Sequence, residues 1–285
     1  MALPNFMIIG APKCGTTTLA QLLDQHPDVF MSPEKEARYF VYSPDDTRKY
    51  IRDTPYKTLD EYHAAFQGVT VETVIGEATP IYFYSPPALG RIRELISDVK
   101  LVLILRNPVD RLFSEAQHLF RDGNLDQEEF ERFHQIPRLV NLGFYAEHFR
   151  TCLEIFERPQ VKVLLFEHLV RQPERLLQSL CDFLGIDVQP ILGKVPRANV
   201  GGVPVSNLSY IGLKIGRSLK ESPAIPAGLI DSLQKIGKRF LYRRVTLDPT
   251  VREQLMGHYA ADIELLEELS GEPVTRLWLE DPVSK

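Results

Sequence analysis

Apolar and polar positions along this chain fall into blocks that predict strands alternating with helices. Phe6-Met7-Ile8-Ile9 makes Asn5 to Ile9 a buried strand. After the loop Gly10-Ala11-Pro12-Lys13-Cys14-Gly15, the residues Leu19, Leu22 and Leu23 recur at helical spacing and predict a helix from Thr16 to about Gln25. His26-Pro27 stops it, because the residue before a proline avoids the helical conformation. Val29 to Met31 and Val74 to Gly76 read as short strands, and residues 44–66 as a polar helical stretch. The unbroken apolar run Lys100 to Leu105 predicts a strand covered on both faces, as in a parallel sheet. Helices are expected over 87–96, onward from Arg106-Asn107-Pro108 through Ser114 and His118, over 143–156, and over 173–184 with Gly185 as its C-cap. Val161 to Phe166 supplies one more strand, and an amphipathic helix over 248–269 precedes Trp278. This order predicts an α/β fold: one domain over residues 1–285, a P-loop-type parallel sheet with helices on both faces.

Composition narrows the function. The 285 residues carry 33 basic and 38 acidic side chains, a formal charge of −5, so no global basic excess points to nucleic acid. Cys14, Cys152 and Cys181 are odd in number and lack metal-ligand spacing, which suggests a reducing compartment and no metal. No apolar run is long enough for a signal sequence or membrane span, so the expected location is cytoplasmic. One region departs from the average. Residues 209–244 hold eight basic residues against Glu221 and Asp231, interleaved with Ile211, Leu213, Ile215 and Leu219. That pattern suits a solvated face, a lid, or peripheral contact with an anionic membrane.

The first loop carries the chemistry. A glycine-rich turn between a buried strand and a helix aims backbone N–H groups and a positive helix end at an anion. Gly10 to Thr17 has the length of a nucleotide-binding P-loop, yet Thr16 stands where a nucleotide hydrolase needs lysine, and the lysine is Lys13 at the apex. The strand 100–105 ends in Arg106 where such hydrolases commonly hold a magnesium-binding acid.

The pair formed by Pro12-Lys13-Cys14-Gly15-Thr16-Thr17 and Arg106-Asn107-Pro108-Val109-Asp110-Arg111-Leu112-Phe113-Ser114 resembles sulfotransferases that use 3′-phosphoadenosine 5′-phosphosulfate (PAPS). The heparan sulfate sulfotransferases and their bacterial relatives are the nearest branch. Lys35-Glu36-Ala37-Arg38-Tyr39-Phe40, Glu77-Ala78-Thr79-Pro80, Gly143-Phe144-Tyr145 and Tyr259-Ala260-Ala261-Asp262 extend the resemblance. It implies transfer of a sulfuryl group from PAPS to a hydroxyl or amine, without a metal, leaving adenosine 3′,5′-bisphosphate (PAP). The acceptor would be a small molecule, a lipid or a glycan.

The resemblance also implies roles. Lys13, Cys14, Gly15, Thr16, Thr17 and Thr18, within the 10–18 loop, would cradle the 5′-phosphosulfate, with Lys13 on the oxygen that gains charge as the S–O bond breaks. Arg106 and Ser114, in the 106–114 motif, would take the 3′-phosphate. Glu36 would be the general base and His118 its reserve, while Tyr145, Arg197 and Asn199 would touch the adenine or 3′-phosphate. Segments 32–66, 77–86 and 200–245 would wall the acceptor cleft. Ala78 stands where several relatives carry lysine, and Arg38 where they often carry histidine. The competing readings are an ATP-dependent P-loop kinase and a non-catalytic PAP-binding protein.

Overall fold

A computed structural model describes residues 2–45, 53–192, 203–204, 242–243 and 245–280. The chain is a single α/β domain whose contacts gather into two compact units, residues 1–107, 144–198 and 261–284 in one and the remainder in the other.

The first unit is built on five parallel strands: β1 (Phe6–Gly10), β2 (Val29–Met31), β3 (Val74–Ala78), β4 (Lys100–Leu105) and β5 (Val161–Leu165). Their spatial order is β2-β3-β1-β4-β5. β1 is therefore central, with Phe6 opposite both Gly76 and Lys100. Leu101 to Leu105 are wholly buried, as the unbroken apolar run requires of a strand covered on both faces. Because every strand runs the same way, the ends of β1, β3, β4 and β5 share one edge, and the segments leaving that edge begin with or hold Lys13, Thr79, Arg106 and Phe166.

Helices flank the sheet, and their ends follow local chemistry. α1 (Thr16–Leu23) buries Leu19, Leu22 and Leu23, the three positions spaced for it. The polar stretch 44–66 shortens to α2 (Leu59–Ala64) among the described residues. Thr58 caps that helix, accepting from the Glu61 N–H while the Glu61 carboxylate takes the Thr58 N–H. α3 (Pro86–Leu95) starts at a Ser85 cap followed by Pro86 and Pro87. In the second unit, α4 (Pro108–Arg121) is followed by two short helices that the sequence pattern did not announce, α5 (Gln127–Glu131) and α6 (Pro137–Val140). Back in the first unit, α7 (Tyr145–Ile155) lacks a cap of its own; Asp262 accepts the N–H groups of Tyr145 and Ala146 at 2.8 and 3.2 Å from a distant part of the chain.

The strand expected over Val161 to Phe166 stops one residue early, because Phe166 opens another helix, α8 (Phe166–Arg171). α9 (Pro173–Leu184) follows, closed by Gly185 at φ +85°, as its C-cap position predicts. Val203–Pro204 (β6) and Tyr242–Arg243 (β7) form an antiparallel pair in the second unit. α10 (Pro249–Ser270) begins in the second unit and ends in the first. The basic stretch 209–244, apart from Tyr242 and Arg243, lies outside the described residues, as do Arg197 and Asn199.

Candidate active site

The loop after β1 is shaped for an anion. Gly10 must be glycine, since a Cβ there would sit 2.7 Å from the Phe83 Cβ. Gly15 caps α1 at φ +92°, a left-handed conformation that glycine adopts without penalty, and a Cβ there would meet the Phe166 ring at 2.8 Å. Lys13 also sits at positive φ, 67°, which turns the chain sharply at the loop apex. The first turn of a helix has no internal acceptors for its N–H groups. Here the backbone N–H groups of Gly15, Thr16, Thr17 and Thr18 donate to no acceptor among the described residues, so four donors lie at one helix end. Thr16 is buried, Thr18 half-buried and Thr17 exposed.

Cys14 serves this loop from beneath. Its N–H donates to Ala11 O at 3.2 Å, and its buried thiol lies 3.9 Å from the Tyr145 hydroxyl. Tyr145, expected at the adenine, is wholly buried, and its hydroxyl donates to Arg106 O at 3.0 Å. It shapes the turn after β4 instead of offering a face to a ligand. The buried Trp278 ring packs 6.2 Å from it.

Arg106 is half-buried, its guanidinium 4.8 Å above the Phe166 ring and within 3.5 Å of Lys13 O. The Glu167 carboxylate accepts the Asn107 N–H at 2.9 Å and fixes the backbone just past the arginine. Burial pushes the Glu167 carboxyl up, opposed by that hydrogen bond and by the charge of Arg106. The loop after β1 and the arginine after β4 are thus joined within one unit.

The segment 35–38 reaches the same sheet edge. Glu36 and Arg38 both sit at positive φ, 63° and 54°, an uncommon conformation for residues with side chains. Four contacts hold it. The Glu36 N–H donates to Ala78 O at 3.1 Å, and the Arg38 N–H to Thr79 Oγ1 at 3.3 Å. The buried Thr54 hydroxyl donates to Ala37 O at 2.6 Å. Lys35 Nζ donates to Thr17 Oγ1 at 2.5 Å and lies 3.7 Å from Glu36 Oε1. The Glu36 side chain remains 40% exposed, open to solvent and to an incoming group.

Glu77, one residue before Ala78, has the opposite setting. It is wholly buried among Tyr62 and Tyr82, neither carboxyl oxygen closes a hydrogen bond of normal geometry, and burial pushes its carboxyl up to about 8. The resemblance gives it no role, and alternation along β3 does not reveal its burial, because Ile75 on the same face is only half-buried.

Ser114 and His118 lie on α4 in the second unit, both half-buried. His118 Nδ1 accepts from Arg121 Nη2 at 2.8 Å, which puts its remaining ring proton on Nε2, 3.7 Å from Asp122 Oδ2. Its proton-accepting nitrogen is already occupied.

Known proteins resemble this chain in sequence and in fold. A family model for the sulfotransferase domain matches residues 3–261. The bifunctional heparan sulfate N-deacetylase/N-sulfotransferase 1 of Caenorhabditis briggsae is 28% identical over 207 residues, 66% of this chain and 23% of that protein. The human heparan sulfate glucosamine 3-O-sulfotransferase 3B1 is 30% identical over 193 residues, 65% of this chain and 46% of that one. The chain therefore matches less than half the length of either relative. The crystal structure of a sulfotransferase from Alicyclobacillus acidocaldarius superposes with a TM-score of 0.71 at 29% identity, covering 98% of this chain and all of that one. Mouse sulfotransferase SULT7A1 complexed with PAP shares the fold, with a TM-score of 0.50 at 17% identity over 99% of this chain and 89% of that one.

Proposed function

The chain belongs to the sulfotransferase domain family, and on that premise we propose that it moves a sulfuryl group from PAPS to a hydroxyl or amine through the sheet-edge site described above. The observation that carries this reading is the cluster of four N–H groups at the start of α1 that donate to no acceptor among the described residues, with Lys13 at the apex of the same loop. These donors suit the 5′-phosphosulfate. The PAP complex of a protein with the same fold supports the choice of nucleotide.

In the proposed step, an acceptor oxygen or nitrogen attacks sulfur while its proton passes to the Glu36 carboxylate. The bond between sulfur and the bridging oxygen breaks, and its electron pair stays on the 5′-phosphate of PAP. Lys13 meets the charge that grows on that oxygen, so its interaction strengthens toward the transition state. Arg106 offers a planar fork to the 3′-phosphate. Glu36 is favoured over His118 because its carboxylate is partly open, whereas the acceptor nitrogen of His118 is held by Arg121. No step in this scheme calls on a metal. The glycan acceptors named for two relatives make a sugar hydroxyl or amine the first acceptor class to try.

Thermal unfolding with PAP or with ATP and magnesium tests the nucleotide. PAP at a hundred times its dissociation constant adds about 2.7 kcal/mol to the native state and raises Tm accordingly. ATP with magnesium is expected to do much less, and equal shifts would return the kinase reading. Release of PAP from PAPS only when an acceptor is added separates an enzyme from a passive binder.

A further inference from the structure

We propose that Lys35 is a second cation at the sulfuryl end of the site, touching the transferring group alongside Lys13. The inference rests on the reading of the α1 loop as the PAPS site, and it adds a residue to which neither the family resemblance nor the comparisons give a role.

The geometry points to it in three ways. Lys35 Nζ is 2.5 Å from Thr17 Oγ1, the exposed hydroxyl in the first turn of α1, where the unaccepted N–H groups converge. An ammonium has only donors, so Thr17 must accept from Lys35, and the hydroxyl proton of Thr17 is left to point at an anion. Lysine carries two further N–H donors in the same place. On its other side stands Glu36 Oε1 at 3.7 Å, within ion-pair reach but beyond a hydrogen bond. An ammonium set between the nucleotide loop and the carboxylate that takes the acceptor's proton lies on the line along which sulfur changes partners.

This placement is also enforced. The backbone that carries Lys35 is fixed at the next three residues by Ala78 O, Thr54 and Thr79, and it passes through two left-handed residues. A solvated lysine needs no such anchorage.

Calorimetry on the full chain with PAP and with PAPS tests the proposal, because the two nucleotides differ by the sulfuryl group alone. In Lys35→Met the PAP dissociation constant is expected to stay within twofold of wild type while that of PAPS rises five- to tenfold. Lys35→Arg, which keeps the charge, is expected to bring PAPS back within threefold. Equal weakening of PAP and PAPS would make Lys35 a prop for the Thr17 loop, and no change in either would leave it a surface ion pair with Glu36; both overturn the proposal. Wild-type binding of PAP, measured in the same series, reports separately on the nucleotide reading. Glu36→Gln reports on the base: if that variant stays fully active while Lys35→Met loses PAPS selectively, the base assignment falls and Lys35 stands.

Discussion

The α1 loop and the 35–38 segment both end at the carboxyl edge of the sheet, but they are made in different ways. The loop is a local object. Its shape follows from Gly10, Lys13 and Gly15 within six residues, and its donors exist because every helix begins with unpaired N–H groups. The acid-bearing segment is a tertiary object. Glu36 keeps its left-handed backbone because Ala78 O, Thr79 and Thr54 hold its segment, residues 18 to 43 positions away. The proposed anion cradle can thus be written into a short stretch of chain, whereas the placement of the proposed base depends on distant partners. Variants should separate the two, with the loop governing nucleotide affinity and the segment governing turnover.

The largest effect is expected at Glu36. Glu36→Gln preserves size but cannot take the acceptor's proton, so turnover should fall about 10²–10⁴-fold with PAP affinity unchanged. Steady-state rates beside PAP calorimetry check this. Near-wild-type turnover there, with His118→Ala inactive, would move the base to α4 and undo the comparison.

A neighbouring carboxyl sharpens it. Glu77 sits beside the same strand end, yet it is wholly buried, with a pKa pushed up to about 8 from an ordinary value of 4.5. Its folded form therefore holds a proton that the unfolded chain has lost between those two values. The native state binds more protons there, so stability falls as pH rises from about 4.5 to 8 and levels off above. The contribution is on the order of 4 kcal/mol across that window. Denaturant melts at pH 5 and pH 8 should show a clear loss for the wild type and a much smaller one for Glu77→Gln. The same slope in both proteins would mean that another group sets it. Two glutamates 41 residues apart in sequence and tied to one strand end thus differ sharply in exposure, and only Glu36 is open to an incoming group.

Arg106 tests the loop side. If Arg106 holds the 3′-phosphate as proposed, Arg106→Ala should weaken PAP by about 1.5–3 kcal/mol through the lost charged hydrogen bonds. Turnover at saturating PAPS should change much less, the reverse of Glu36→Gln. If turnover fell as far as affinity, Arg106 would be shaping the reacting end through its contact with Lys13 O.

Much of this was legible in the chain itself. The five strands could be located from apolar runs, and the loop from glycine spacing, because both signals are local. Glu36 emerged only through resemblance, and its partners did not emerge at all. Nothing in the sequence says that Thr54 and Thr79 reach Ala37 and Arg38, or that Asp262 caps α7. Phe166 shows the same limit at an element boundary, since an apolar residue after an apolar strand reads as more strand although it starts a helix. Tyr145 shows it again: its motif suggests a ligand contact, while its complete burial comes from the fold around it.

The smallest effect is the most direct probe of tertiary placement. Thr79→Val removes the hydroxyl that accepts the Arg38 N–H while keeping a branched side chain of similar size. The site is buried, so the fold should tolerate the change at a cost of about 1 kcal/mol for one lost hydrogen bond. If that bond holds Glu36 in place, kcat should fall severalfold to tenfold while PAP affinity and the Lys35-dependent preference for PAPS stay near wild type. Thr79→Ser should recover the loss, because it restores the accepting oxygen. A Thr79→Val variant that lost stability but kept its full kcat would show that the remaining ties, Ala78 O and Thr54, suffice. The segment would then be held redundantly, and the contrast with the loop would rest on distance in sequence alone.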